Sequence, residues 1–276
     1  MMSLNGKTAL VTGSTDGVGR VVAEQLGKMG ARVLVHGRDR VRGERVVSDI
    51  RAAGGAADFL AADLASLADV RRLADAVRAT TDRLDILINN AGIGTAGAAR
   101  QTSADGRELR FAVNYLAGFL LTYLLLPLIK QSVPARIVNV ASAGQQAIDF
   151  SDVMLTRGYS GSRAYRQSKL AQIMFTVDLA RELEGSGVTV NALHPATYMN
   201  TTMVRRAGVT PISNVEQGAE AIINLAGGPA LEGRSGLYFN GLREARADGQ
   251  AYDAEARARL RALSLELTGL RAAEKV

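Results

Sequence analysis

Cysteine and tryptophan are absent from this 276-residue chain, which has only two histidines and five prolines. Without cysteine there can be no disulfide framework and no thiolate metal site, and the composition suits a reducing compartment. His36 and His194 stand alone at the ends of strand-like runs, with no i,i+4 partner, so no metal is expected. Aromatic residues make up 5% of the chain and do not interleave with basic ones. The net charge of +6 comes mostly from arginines scattered among acids on helical stretches; only five of 33 basic residues are lysine. No nucleic-acid partner is expected from that pattern. Long apolar runs are scarce too. The longest, 116–129, is broken by Gly118, Thr122, Tyr123 and Pro127, which favours a core helix over a membrane span. The opening MMSLNGKTALVTG lacks the charged start, apolar stretch and cleavage site of a secretory signal. A cytoplasmic location is therefore expected.

An apolar fraction of 47% is enough for one sizeable core. Short apolar, β-branched runs read as buried strands at 7–12, 31–36, 58–62, 84–89, 136–141 and 188–194, with a short last strand at 236–240. Helical spacing separates them at 20–29, 39–53, 66–80, 103–131, 162–183 and 215–226, and a charged terminal helix covers 251–267. The helix over 103–131 should bend or end near Pro127. Such alternation predicts an α/β chain: a Rossmann-type, doubly wound parallel sheet in a single domain spanning 1–276. Two irregular stretches, 143–161 and 196–213, follow the carboxyl ends of strands, where open α/β sheets bind ligands. Loops of that length in a compact domain are usually functional.

The first strand runs into Thr12-Gly13-Ser14-Thr15-Asp16-Gly17-Val18-Gly19 and then a helix. Gly13 lets the chain turn sharply, Gly17 leaves room for a pyrophosphate, and Gly19 lets the helix pack close to the sheet. The helix N-terminus then faces the phosphates with free N–H groups. Farther on, Tyr165 and Lys169 in YRQSK stand four apart and share one helix face. A phenol of ordinary pKa ~10 is almost wholly protonated at neutral pH, and an ammonium beside it favours the phenolate. The pair reads as a general acid/base.

With the glycine turn, Asn89-Asn90-Ala91-Gly92 and YRQSK in this order, the chain is identified as a member of the short-chain dehydrogenase/reductase family, in its single-domain branch. The run from Tyr165 to Pro195 and the tail SGLYFNG are similar to the retinol-dehydrogenase-like group. The resemblance implies an NAD(P)-dependent oxidoreductase acting on a carbonyl/alcohol pair. It makes Tyr165 the acid/base and Lys169 its pKa-lowering partner, which also holds the nicotinamide ribose. Ser142 would hold the substrate oxygen, and Asn114 would anchor a relay water. Gly13 to Gly19 (with Ser14, Thr15, Asp16 and Val18) would cradle the cofactor. Asp63 and Leu64 would meet the adenine, and Asn90, Ala91 and Gly92 the ribose. Pro195, Tyr198, Asn200 and Thr201 would lie by the carboxamide. There this sequence departs from the family: Ala196 replaces the usual glycine, and Asn200 stands where a threonine is expected, followed by Thr201 and Thr202.

Cofactor choice is read at the end of the second strand. His36, Gly37 and Arg38 offer no acid at the tip and a guanidinium suited to a phosphate, so NADP(H) is favoured over NAD(H). Asp39 and Asp16 weigh against it, although Asp39 could equally cap the next helix. The segment between Ser142 and Tyr165 is about ten residues longer than the resemblance implies, and would form a wall of the substrate pocket. The expected substrate is a small, largely apolar carbonyl or alcohol. Two alternatives stand: a catalytically silent nucleotide-binding sensor or scaffold, and a nucleotide-sugar epimerase or dehydratase. Self-association as a homodimer or homotetramer through 103–131 and 162–183 is consistent with the resemblance, and the terminal helix capping a monomer is its rival.

Overall fold

A computed structural model describes residues 3–95 and 99–270. Eight strands form one sheet in the order β3-β2-β1-β4-β5-β6-β7-β8. They are β1 Thr8–Val11, β2 Arg32–Gly37, β3 Ala56–Ala61, β4 Ile86–Asn89, β5 Ala135–Val140, β6 Val188–His194, β7 Tyr238–Asn240 and β8 Arg243–Ala245. The first seven are parallel, and β8 returns antiparallel on β7. Strand order reverses between β1 and β4, so a crevice opens at the carboxyl ends of those two strands.

Helices cover both faces of the sheet. On one side, α1 Gly17–Lys28 and α2 Arg40–Ala52 pack with α7 Val215–Gly227 around Val22, Leu26, Val35 and Ile222, all fully buried or nearly so. On the other, α3 Leu67–Thr80, α4 Ala117–Gln131 and α5 Gly161–Glu182 enclose the larger core of leucines and aromatic rings. The remaining helices are the short α6 Thr202–Arg206 and the terminal α8 Ala254–Thr268. Phe111–Gln131 is long and apolar enough to cross a membrane by length and composition, but it lies mostly buried inside the fold.

The helix expected over 103–131 begins only at Leu109. Before it, Gly106 at φ 74° makes a turn, and Thr102 bridges Glu108 in antiparallel fashion. Its opening turns, Phe111–Leu116, are π-helical. Pro127 does not end the helix, which runs on to Gln131. The carbonyl left without its helical donor is that of Tyr123, and Leu125, Leu126 and Leu128, buried on both sides of the proline, hold the helix in the core.

The helix α8 lies on the outer surface of α4 and α5. Tyr115 Oη and Ser264 Oγ are 2.7 Å apart, Arg257 Nε donates to Asp178 Oδ1 at 2.9 Å, and Arg261 Nη2 donates to Glu182 Oε2 at 2.6 Å. The terminal helix therefore packs on part of the helix surfaces suggested for self-association.

Candidate active site

The crevice is stitched together by Thr12 and Asn90. The Thr12 hydroxyl accepts from the N–H groups of Asn90 and Ala91 at 2.9 and 3.0 Å, and Asn90 Nδ2 donates back to the Thr12 carbonyl at 2.8 Å. Gly13 and Gly17 sit in the left-handed region, at φ 65° and 56°. A Cβ on Gly13 would come within 2.8 Å of the Ala91 Cα, and one on Gly19 within 2.4 Å of the Gly13 carbonyl oxygen. Only glycine lets these backbones approach so closely. The Asp16 carboxylate caps α1 by accepting from the Gly17 N–H at 2.7 Å. A helix N-terminus leaves its opening N–H groups without intrahelical partners and so suits an anion. Residues 13–19 could hold a phosphate group of a cofactor.

Four polar side chains converge beyond it. Ser142, just past β5, accepts from the Gly144 N–H at 3.0 Å, and the Tyr165 ring lies close by: a Cβ built on Gly144 would be 3.5 Å from Ser142 Oγ and 3.9 Å from Tyr165 Cε1. Burial pushes that phenol up, and the Ser142 contact pulls it partly back. Lys169 is buried, and burial brings its ammonium down to about 7. Its Nζ donates to the Val140 carbonyl at 2.8 Å and to Gln172 Oε1 at 2.9 Å. The lysine thus lies 5.8 Å from the centre of the Tyr165 ring, and the phenol is not lowered as the sequence suggested. Desolvation prevails at the phenol, and the ammonium's hydrogen bonds run to other partners.

Asn114 lies in the π-helical turn. Its Oδ1 accepts from the Ile93 N–H at 2.7 Å, and its Nδ2 donates to the Ile93 carbonyl and to Ser168 Oγ. Gly92 lies against this residue and Lys169: a Cβ there would be 3.3 Å from Asn114 Oδ1 and 3.5 Å from Lys169 Nζ. Tyr165, Lys169, Ser142 and Asn114 thus gather at the ends of β4 and β5, beside Asn90, Ala91 and Gly92.

At the other end of the crevice, Arg38 is exposed, with Nη1 3.8 Å from Asp63 Oδ2. Asp39 caps α2, accepting from the Arg42 N–H at 3.0 Å, and pairs with the Arg42 side chain. Asp63 Oδ1 accepts from the Ala65 N–H, and Leu64 is buried next to it. The stretch 196–213 folds down toward the glycine turn, with Thr201 3.4 Å from a Cβ built on Gly17. Pro195 is buried at its start, and Tyr198 is exposed at φ 44°. Thr201 Oγ1 caps α6 through the Val204 N–H, whereas the Asn200 side chain is exposed.

The stretch 143–161 is tied down along its length. Gln250 pairs with both backbone groups of Ile148, Asp149 pairs with Arg163, and the Phe150 ring lies under Arg259. Tyr159 donates to the buried Glu108 at 3.1 Å and accepts from Arg110. Ile148 and Leu155 are buried in the fold.

Several supporting residues lay outside the sequence reading. Gln172 follows Lys169 by three on the same helix, so its reach to the ammonium could have been inferred. It ends a buried polar chain: Asn89 Nδ2 bonds Thr122 and Asn139, Asn139 Nδ2 bonds Thr176, and Thr176 Oγ1 bonds the Gln172 carbonyl. Tyr238 and Gln145 both donate to the Ser142 carbonyl, at 3.1 and 2.9 Å. Tyr238 comes from a distant strand, and Gln145 from three residues farther along the same loop.

A family model described as short chain dehydrogenase matches residues 7–210. Retinol dehydrogenase 13 from Homo sapiens is 38% identical over 290 residues, covering 98% of this chain and 87% of that protein. Polyprenol dehydrogenase from Mus musculus is 40% identical over 284 residues, covering 96% and 84%. Among solved structures, an uncharacterised protein from Mycobacterium paratuberculosis superposes with a TM-score of 0.81 at 32% identity, covering 98% of this chain and 96% of its own. A Pseudomonas aeruginosa RhlG/NADP complex follows at 0.71 and 32%, covering 86% and 95%. With sequence, sheet order and site motifs in agreement, the chain belongs to the short-chain dehydrogenase/reductase family, is retinol-dehydrogenase-like, and is an NAD(P)-dependent enzyme.

Proposed function

We propose that this enzyme interconverts a carbonyl and a primary or secondary alcohol on a largely apolar small molecule, using NADP(H), with Tyr165 as the acid/base. The observation that carries the reading is the proximity of Ser142 and Tyr165 to each other beside buried Lys169. The nicotinamide supplies or accepts the hydride. Gly13, Ser14, Thr15, Asp16, Gly17, Val18 and Gly19 hold the pyrophosphate, Asn90, Ala91 and Gly92 the ribose, and Asp63 and Leu64 the adenine. In the reducing direction, Ser142 and Tyr165 donate hydrogen bonds to the substrate oxygen, and Tyr165 gives up its proton. Lys169 stabilises the phenolate that remains, and Asn114 and Ser168 fix the wall behind it. Asn200, exposed and without a side-chain partner among the described residues, is better placed than Thr201 to meet the carboxamide.

Arg38 supports NADP(H): with Asp39 occupied in capping, its guanidinium is the charged group at the 2′ position, held only loosely by Asp63. Relatives solved with NADP agree with that preference. An apolar substrate fits the names of the retinol and polyprenol dehydrogenases among the relatives. The enzyme acts in the cytoplasm on this reading. A panel of apolar aldehydes and ketones, followed by NADPH absorbance, tests it. Turnover should be lost in Tyr165→Phe with NADP+ binding retained, and full activity in that variant would refute the mechanism.

A further inference from the structure

We propose that His36 is a positioning residue of the cofactor site, its neutral imidazole holding the glycine turn open through the Gly13 N–H. The inference rests on reading residues 13–19 as the pyrophosphate cradle. His36 closes β2 and is 2% exposed. Its Nδ1 lies 3.1 Å from the Gly13 nitrogen, which donates to it. Two further bonds tie the same pair of segments: the Ser14 N–H donates to the His36 carbonyl at 2.9 Å, and the His36 N–H donates to Ser14 Oγ at 2.9 Å. Ser14 Oγ in turn donates to the Val11 carbonyl at 2.7 Å. The first two residues of the turn are thus clamped to the end of β2 by three hydrogen bonds, and only one of them uses the histidine ring.

That ring bond restricts the chemistry of the residue. An imidazole nitrogen accepts only when it carries no proton, so the single ring proton must sit on Nε2. A charged ring would present a donor to a donor. Burial disfavours the charged ring and brings it down to about 4, against weaker opposing influences of the Ala62 backbone and Asp63. The ring is therefore a fixed acceptor in the neutral range. It meets Gly13 where a left-handed backbone turns the chain away from the sheet, and losing the acceptor leaves a part-buried N–H unpaired at that bend. The two backbone bonds survive such a loss, so the fold should persist while the turn loosens.

Long-range proton–nitrogen correlation on the wild-type chain, which has only one other histidine, reads the tautomer directly. Binding of NADP+ to wild type, His36→Asn and His36→Leu reads the consequence. The expected spectrum shows His36 protonated on Nε2 alone between about pH 6 and 8. Asparagine places Oδ1 where Nδ1 stood and should keep the dissociation constant within about threefold, whereas leucine should raise it about tenfold or more. An Nδ1-protonated or charged ring would overturn the proposal, even if the leucine variant fails to fold. So would equal affinities of the leucine variant and wild type, or an asparagine variant as weak as leucine. Movement of the Gly13 and Ser14 amide resonances on adding NADP+ to wild type separates the two readings. No movement refutes the cradle itself. Movement with unchanged affinity in His36→Leu refutes only the histidine's role.

Discussion

Lys169 Nζ stands 5.8 Å from the centre of the Tyr165 ring while its hydrogen bonds run to the Val140 carbonyl and to Gln172 Oε1. The lysine's charge, not a direct bond, is what it offers the phenol, and Gln172 helps keep that charge. Replacing Gln172 with leucine removes an acceptor of the charged form, so Lys169 should fall further below its ordinary value. A weaker positive charge leaves the phenol higher. Alcohol oxidation needs the phenolate, so its rise with pH should move to higher pH by about one unit, with roughly a tenfold loss at pH 7. The pH profile of kcat/KM for Gln172→Leu measures this, and a profile identical to wild type would remove Gln172 from the proton chemistry.

Arg38→Ala should raise KM for NADPH about tenfold or more and leave KM for NADH within about twofold, because only the first carries the 2′-phosphate that a guanidinium would grip. Steady-state kinetics with both cofactors decide it. Equal increases would mean that Arg38 does not read the phosphate.

Asp85 is a stability anchor away from the crevice. It is 2% exposed at the entry to β4 and accepts from Lys7, from Arg83 and from the Thr8 N–H. Burial alone would push its carboxyl up, but Arg83, the Thr8 N–H and Lys7 together hold it below the ordinary value. A depressed folded value means that its stabilising contribution is present above the unfolded pKa of about 4 and is lost as pH falls through the folded one. Asp85→Asn should cost about 3 kcal/mol at neutral pH. Its penalty relative to wild type should shrink as pH drops below about 4. Urea melts across pH test this, and a penalty that stays constant would contradict the linkage.

The terminal helix predicts a monomer. Arg257 is 2% exposed, pairs with Asp178 and also donates to the Ala251 carbonyl. Arg257→Ala should lower Tm by about 5–10 °C, since it strands a partly buried carboxylate. Sedimentation of the wild type should give the mass of one chain. A stable dimer or tetramer would show that the surface left around α8 is still used for assembly.

Most of the fold could be read from sequence because parallel strands buried on both faces appear as short apolar runs. LVT, VLV, ILIN and IVNV announce themselves. The errors came where local chemistry is quieter. Asp105-Gly106 is a turn signal that the strong apolar pattern beyond it outweighed, so the long helix was started too early. The hairpin joining β7 to β8 was missed although Asn240-Gly241 is the kind of pair that makes one, because Arg243-Glu244-Ala245 has no apolar alternation. At the site, the residues named from motifs gather as expected around one crevice. What stayed hidden was the support behind them. Tyr238 and His36 act across tens of positions, and the sheet brings them to Ser142 and Gly13, whereas Gln145 reaches Ser142 from three residues away in an irregular loop that carries no pattern.

The π-helical opening over Phe111–Leu116 also makes this stretch intolerant of length change. It accommodates one more residue per turn than an ordinary helix would. Deleting a single residue there would relax the turn into α geometry and spare the flanking helix, but it would displace the side chains within the turn itself from their partners. Asn114 would leave Ile93 and Ser168, or Tyr115 would leave Ser264, depending on where the cut falls. Substitutions in this segment can be graded by size and polarity. Insertions and deletions cannot, because any of them uncouples the catalytic wall from the core on which it is mounted.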